Sequence, residues 1–202
     1  MNKPYAESCD QNREPILQVI RPLLQNAQKV LEIGSGTGQH AVYFAQQMPH
    51  LRWHTSDRAE YHDGIRAWIA DSGLDNVQPP IELDVLRSQW PVLDIDAVFS
   101  ANTCHIMHLD EVQALFAGVG QLLGQGGKFL LYGPFNYHGD YTSDSNARFD
   151  QWLQARDPLS AIRDFEAVDA LAQQAGMVLQ QDYAMPANNR ILYWKKTRPE
   201  TL

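Results

Sequence analysis

The stretch Val30-Leu31-Glu32-Ile33-Gly34-Ser35-Gly36-Thr37-Gly38 leaves few folds open to this chain. A short apolar run meets three glycines at alternate positions. Ala41, Phe44, Ala45 and Met48 then recur at helical spacing until Pro49. A strand that turns at once into a helix through glycine is the opening unit of a parallel α/β sheet. Glycine adopts backbone angles that other residues resist, and it has no Cβ to hold a ligand away. The helix behind the turn offers unpaired N–H groups and the positive end of its dipole. Such a turn brings a small polar or charged cofactor against the main chain. A turn without a ligand has no need of three glycines in five residues.

The spacing of the glycines narrows the cofactor. The dinucleotide fingerprint G-x-G-x-x-G requires glycine where Gln39 stands, and the phosphate-binding P-loop requires a Gly-Lys-Ser/Thr that is absent. An acidic residue before the turn, Glu32, makes the pattern E-x-G-x-G-x-G, which is more specific than any pair of glycines.

Further along, strand-like and helix-like runs alternate. Ile16, Val19, Ile20 and Leu23 predict a helix over Pro15–Leu24, with Asn12 as a cap. Strands are predicted at Lys29–Ile33, Leu51–Thr55, Val77–Leu83, Ile95–Ala101 and Phe129–Tyr132. Pro79-Pro80 interrupts the third of these. Helices fall around Ala59–Ala70, on the stripe Val112, Leu115, Phe116, Val119, Leu122, Leu123, and from Phe165 to Gly176. Met177–Met185 and Arg190–Lys196 read as a closing hairpin. The pattern predicts a doubly wound, mostly parallel seven-stranded α/β sheet with a C-terminal antiparallel hairpin. Residues 1–202 read as one domain. The polar, aromatic stretch 133–164 breaks the rhythm, either as a lid or acceptor wall over the site or as a surface excursion.

Ligands of such sheets bind beyond the carboxyl ends of the strands. Asp57 follows the second strand, where an acid accepts hydrogen bonds from a ribose diol. Asp84-Val85 follows the third, where a carboxylate and an N–H suit an adenine edge. The fourth strand ends in Asn102-Thr103-Cys104-His105-Ile106-Met107-His108, whose polar groups would face the reactive end of a cofactor. His105 and His108 share a helical face at this spacing, but no third and fourth ligand accompany them, so no metal is expected.

The bulk properties exclude other classes. The 202 residues carry a net charge of -8, and no basic stripe suggests nucleic acid. The two cysteines, Cys9 and Cys104, form no disulfide framework and point to a reducing, cytoplasmic setting. No apolar run approaches membrane length, and no secretory h-region is visible.

Together these motifs resemble the class I S-adenosylmethionine-dependent methyltransferases. Asp10-Gln11-Asn12-Arg13-Glu14-Pro15, Gly34 to His40, Asn102 to Ile106, Ser145 to Asp150 and Ile162-Arg163-Asp164 look closest to a small family catalogued as a domain of unknown function. That family includes the animal methyltransferase-like protein twenty-six. The resemblance implies that Gly34, Ser35, Gly36 and Gly38 approach the methionine part of S-adenosylmethionine. It implies Glu32 near its ammonium, Asp57 on its ribose, Asp84 and Val85 on its adenine, and Asn102 beside it. Arg13 would cover its carboxylate. Arg58 departs from the apolar residue usual after the ribose acid. His105, Tyr132 and Tyr137 are the candidates for orienting or deprotonating an acceptor. The Pro-Pro-Tyr/Phe motif of amino-group nucleic-acid methylation and the Pro-Cys motif of cytosine-carbon methylation are both absent, which favours a small-molecule O, N or S acceptor. A non-catalytic cofactor- or partner-binding role on the same fold, and an NAD-dependent oxidoreductase, are the alternatives.

Overall fold

A computed structural model describes residues 3–87 and 89–197. Seven strands form one sheet: β1 (Lys29–Glu32), β2 (Arg52–Asp57), β3 (Val77–Glu82), β4 (Ala97–Ala101), β5 (Lys128–Gly133), β6 (Met177–Met185) and β7 (Asn189–Lys196). Their order is β3-β2-β1-β4-β5-β7-β6. The first five run parallel, and β7 pairs antiparallel with both β5 and β6. Strand order reverses between β1 and β4, so a crevice opens there at the carboxyl ends.

Among the described residues, six α-helices accompany the sheet: α1 (Glu7–Leu24), α2 (Gln39–Gln47), α3 (His62–Ser72), α4 (Leu109–Leu122), α5 (Asp144–Arg156) and α6 (Phe165–Gln174). Alternate residues of each strand feed two separate cores. Leu31, Val98, Phe129, Leu131 and Trp194 pack with Val112, Phe116 and Val119 of α4 and with Val168 and Ala172 of α6. Val30, Phe99, Leu130 and Trp53 pack with Ile16, Ile20 and Leu24 of α1 and with Ala41 and Phe44 of α2. This period of two, with both faces covered, is what a buried parallel sheet requires.

Three local readings change. First, α1 begins at Glu7 rather than Pro15. Its first two turns carry no apolar stripe, and Glu7 and Asp10 complement the dipole there instead. Asn12 is therefore not a cap: it lies inside the helix, its Oδ1 2.7 Å from Nε2 of His40. Second, β3 spans Pro79 and Pro80, but its register against β2 shifts there: Gln78 pairs with His54 and Ile81 with Ser56, so the two prolines stand opposite Thr55 alone. Edge strands and bulges are where a sheet tolerates proline, and β3 is an edge strand with a bulge at this point. Third, the stretch after β5 contains α5. Its inward residues include Asn146 and Asp150 beside Leu153, so no apolar stripe announces it. Ser143 caps it by accepting from the Asn146 N–H at 3.0 Å.

Helix α4 offers a stability test. Glycine inside a helix is normally improved by alanine. A Cβ on Gly120, however, would lie 2.6 Å from both the Cβ and the carbonyl oxygen of Ala175. The Gly120→Ala variant is expected to lose about 1–3 kcal/mol, the cost of overpacking, seen as a lower Tm.

Candidate functional site

The turn after β1 is tied to the end of β2 before any ligand is considered. The N–H groups of Gly34 and Ser35 both donate to the Ser56 carbonyl, at 3.1 and 2.9 Å. Ser56 N–H donates to Ser35 Oγ at 3.1 Å, and Ser56 Oγ donates to the Glu32 carbonyl at 2.6 Å. On the other flank, Ser100 Oγ donates to the Ile33 carbonyl at 2.7 Å and lies 2.6 Å from Thr103 Oγ1. Asp57 then closes the turn from β2. Its Oδ2 accepts from Gly36 N–H and its Oδ1 from Arg58 N–H, each at 2.8 Å. Burial pushes the Asp57 carboxyl up, against the pull of these two bonds.

The three glycines do three different things. At Gly34, φ is +74°, and an added Cβ would fall 2.5 Å from Thr103 Cγ2. At Gly36, φ is +57° and no heavy atom stands within 4 Å of that Cβ position, so its bare backbone faces open space. At Gly38, an added Cβ would meet Ile65 Cα at 3.1 Å and Trp68 Cβ at 3.3 Å. Gly38 therefore admits α3, whereas Gly36 leaves room for a ligand.

A cavity of about 520 Å³ opens over this turn at the strand-order reversal. That volume lies within the range of small-molecule sites, about 300–1,000 Å³. Gly34, Gly36, Asp57, Asp84, Val85 and Asn102 all line it, from the ends of β1, β2, β3 and β4. Arg58 and Tyr61 line the β2 side; Arg58 pairs with Glu60 at 3.3 Å and lies over the Tyr61 ring, 5.8 Å from its centroid. Asn102 holds a left-handed backbone, φ +57°, as asparagine can at a sharp turn.

Glu32 lies behind the turn, 2% exposed, and among the described residues neither carboxyl oxygen has a hydrogen-bond partner. Trp53 Nε1, near this carboxyl, is also unpaired. Burial pushes the Glu32 carboxyl up to about 8; the nearby Ser35 hydroxyl and Trp53 indole N–H pull it back, and the Asp57 charge adds to the rise. An unpaired buried carboxylate is costly, and a cationic group brought to it would remove the cost.

The remaining expected residues lie away from the cavity lining. The Ser35 side chain is committed to β2. Arg13 pairs with Asp10 at 2.8 Å and lies over the Tyr43 ring, on the outer surface of α1 and α2. Tyr132 is buried, with Asn12 and Asn189 flanking its hydroxyl. Tyr137 donates to Asp182 Oδ2 at 2.7 Å and stacks on Phe165, which draws it toward β6. Burial and Asp182 together hold its phenol far above the ordinary value. His105 is buried beside Gly133, edge-on to Phe149. The cavity also takes in Met107 and His108 of the run after β4, Asp157 of the 133–164 stretch, and Tyr61 and Glu111, which the sequence did not single out. Only proximity to Asp57 and His108, a weak signal, pointed toward Tyr61 and Glu111. Among the described residues, no three His, Cys, Asp or Glu side chains converge as a metal site. Burial pushes the Cys104 thiol up to about 12, which leaves it inert as a nucleophile.

Two buried imidazoles make the site region acid-sensitive. Burial lowers both His40 and His105 from 6.5 to about 4. Each binds its proton more weakly folded than unfolded, so its contribution is complete above 6.5 and is lost as pH falls toward 4. Glu32 acts in the opposite sense above 4.5, and two imidazoles outweigh one carboxyl. Tm is expected to fall between pH 6.5 and 4.5, less steeply in His40→Gln.

Residues 3–196 match the family described as protein of unknown function DUF938. The chain belongs to that family. Solved structures give the DUF938 chain its fold. It matches the S-adenosylmethionine-dependent methyltransferase SibL at TM-score 0.80 and 22% identity, over 94% of this chain and 56% of that one. It matches human N-acetylserotonin methyltransferase, solved in complex with SAM, at 0.81 and 15%, over 95% and 53%. Mitomycin 7-O-methyltransferase MmcR matches at 0.75 and 18%, over 86% and 50%. At these identities the likeness establishes the class I methyltransferase fold of the DUF938 chain. The chain spans about half the length of these solved chains. No described helix is long and apolar enough to cross a membrane.

Proposed function

We propose that this DUF938 chain transfers a methyl group from S-adenosylmethionine to a small-molecule O, N or S acceptor. One observation carries the cofactor. The open backbone at Gly36, the unpaired buried carboxyl of Glu32 and the Asp57 carboxylate surround one turn at the strand-order reversal. These groups fit a cofactor with an ammonium at one end and a ribose at the other. Asp57 keeps acceptor capacity on both oxygens beyond its two backbone bonds, enough for a ribose diol. Asp84 and Val85 would hold the adenine edge, and Gly34, Gly36 and Asn102 the amino-acid end. Gly38 and Ser35 shape the turn, and Arg13 would have to leave Asp10 to reach a carboxylate.

S-adenosylmethionine, when bound, supplies an already activated methyl group. The protein must then hold the acceptor in line and keep water out. His105, at the β4 end but behind the cavity lining, would orient or deprotonate an acceptor only from that buried position, where burial lowers its pKa to about 4. Residues 133–164 serve as the acceptor wall within a single 1–202 domain. The small-molecule acceptor draws support from the named substrates of two solved neighbours, mitomycin and N-acetylserotonin. The likeness to methyltransferase-like protein twenty-six, and a cytoplasmic setting for the two free cysteines, belong to the same proposal.

One observation favours a non-catalytic reading: His105, Tyr132 and Tyr137 all lie outside the cavity lining. Incubation with radiolabelled S-adenosylmethionine and a fractionated metabolite extract separates the two. A labelled small-molecule product that disappears in Asp57→Ala supports transfer. Cofactor binding with no labelled product in any fraction supports the non-catalytic role.

A further inference from the structure

The loop between β4 and α4 forms one wall of the cavity, through Ile106, Met107 and His108. Asn102 N–H anchors the start of the loop to the Tyr132 carbonyl of β5 at 2.9 Å, but beyond it the main-chain bonds are local: the N–H groups of Ile106 and Met107 both turn back to the Thr103 carbonyl, at 3.0 and 3.1 Å. Its position is set from outside, by the segment that follows β5. Phe149 of α5 lays its ring edge-on to the His105 imidazole, centroids 5.4 Å apart at 69°. Ser160 Oγ donates to the Ile106 carbonyl at 2.7 Å. Arg163 Nη2 donates to the Met107 carbonyl at 2.5 Å and to the Leu159 carbonyl at 2.9 Å. Asp157 Oδ2 lies 2.7 Å from His108 Nε2. Four successive loop residues thus have four partners, all drawn from residues 149–163.

We infer that Phe149, Asp157, Ser160 and Arg163 are positioning residues that join the cofactor pocket and the α5 wall into one mechanical unit. The inference rests on the S-adenosylmethionine reading of the cavity and adds a coupling to it. The physical case is strongest at Arg163. Its Nε–H is buried without a partner, and its Nη2 bonds go to carbonyls on both sides of the junction. A planar guanidinium holds such a pair in fixed geometry. The loop that touches the cofactor therefore cannot shift without α5 and its C-terminal extension. A ligand seated under α5 and a cofactor seated on Met107 and His108 each order the contacts the other needs, and that coupling is reciprocal.

Hydrogen–deuterium exchange on the full chain tests this, using an Asp157→Ala/Ser160→Ala double variant and S-adenosylhomocysteine as the probe. Without ligand, amides of residues 105–111 are expected to exchange about fivefold faster in the double variant, with α2 unchanged. In the unsubstituted protein the probe slows exchange in both 105–108 and 149–163; in the double variant it slows only the first. Probe affinity falls about tenfold, as expected for two lost hydrogen bonds, whereas Asp157→Glu, which keeps the carboxylate, retains most of the affinity. Unchanged exchange at 105–111 in the ligand-free double variant overturns the inference, as does continued protection of 149–163 in it. A failure of the unsubstituted protein to bind the probe leaves the ligand-free comparison intact and counts against the proposed function.

Discussion

A Gly36→Ala variant is expected to fold and to lose its cofactor. The residue sits at φ +57°, where a side chain costs about 1–2 kcal/mol. Nothing within 4 Å obstructs the added methyl, so the fold has no other reason to fail. That methyl enters the space that the proposed S-adenosylmethionine would occupy. Overpacking a fitted site by one methyl costs about 1–3 kcal/mol, roughly ten- to a hundredfold in Kd. Gly34→Ala makes the contrast, because its Cβ would collide with Thr103 rather than with a ligand. Thermal melts and titration calorimetry with S-adenosylhomocysteine distinguish them. Gly36→Ala keeps a Tm within a few degrees and loses binding, and Gly34→Ala loses Tm first. Full binding by Gly36→Ala would place the ligand elsewhere.

Glu32→Gln is expected to move stability and affinity in opposite directions. Burial raises the Glu32 carboxyl from 4.5 to about 8. A raised carboxyl holds its proton in the folded state while the unfolded chain releases it, so stability is lost as pH rises from 4.5 toward 8. Glutamine has no charge to release. The variant therefore melts higher at pH 8, by an amount on the order of a few kcal/mol, and matches the unsubstituted protein near pH 4.5. Under the proposed function, affinity for S-adenosylmethionine is expected to fall, because its ammonium would lose a buried counter-charge. Melting curves at the two pH values and calorimetry at pH 8 read both effects. A Tm lower at pH 8 than that of the unsubstituted protein would contradict the account of Glu32.

The parts of this molecule that the sequence announces are those governed by local rules. Strand β1 and its glycine turn are legible because backbone freedom at Gly34 and Gly36 cannot be supplied by another residue. Asp57 and Asp84 are legible because parallel strands all end at one rim. Helix α5 is not legible, since Asn146 and Asp150 satisfy their polar groups inward and erase the apolar period. The start of α1 is hidden for a related reason: its first turns are set by Glu7, Asp10 and tertiary bonds such as Asn12 to His40. Within the site, proximity in sequence drew attention to His105, whereas the cavity wall continues through Met107 to Asp157, a partner about 50 residues away whose approach only the tertiary fold sets. Tyr137 shows the converse. Its position after β5 suited an acceptor site, but a hydrogen bond to Asp182 and a stack on Phe165 commit it to the sheet edge.

Calorimetric titration of the purified chain with S-adenosylmethionine, and separately with NADH, tests the central claim most directly. Saturable, one-to-one binding of S-adenosylmethionine that Asp57→Ala abolishes is expected, with no heat from NADH. Saturable binding of NADH with none of S-adenosylmethionine would contradict that claim.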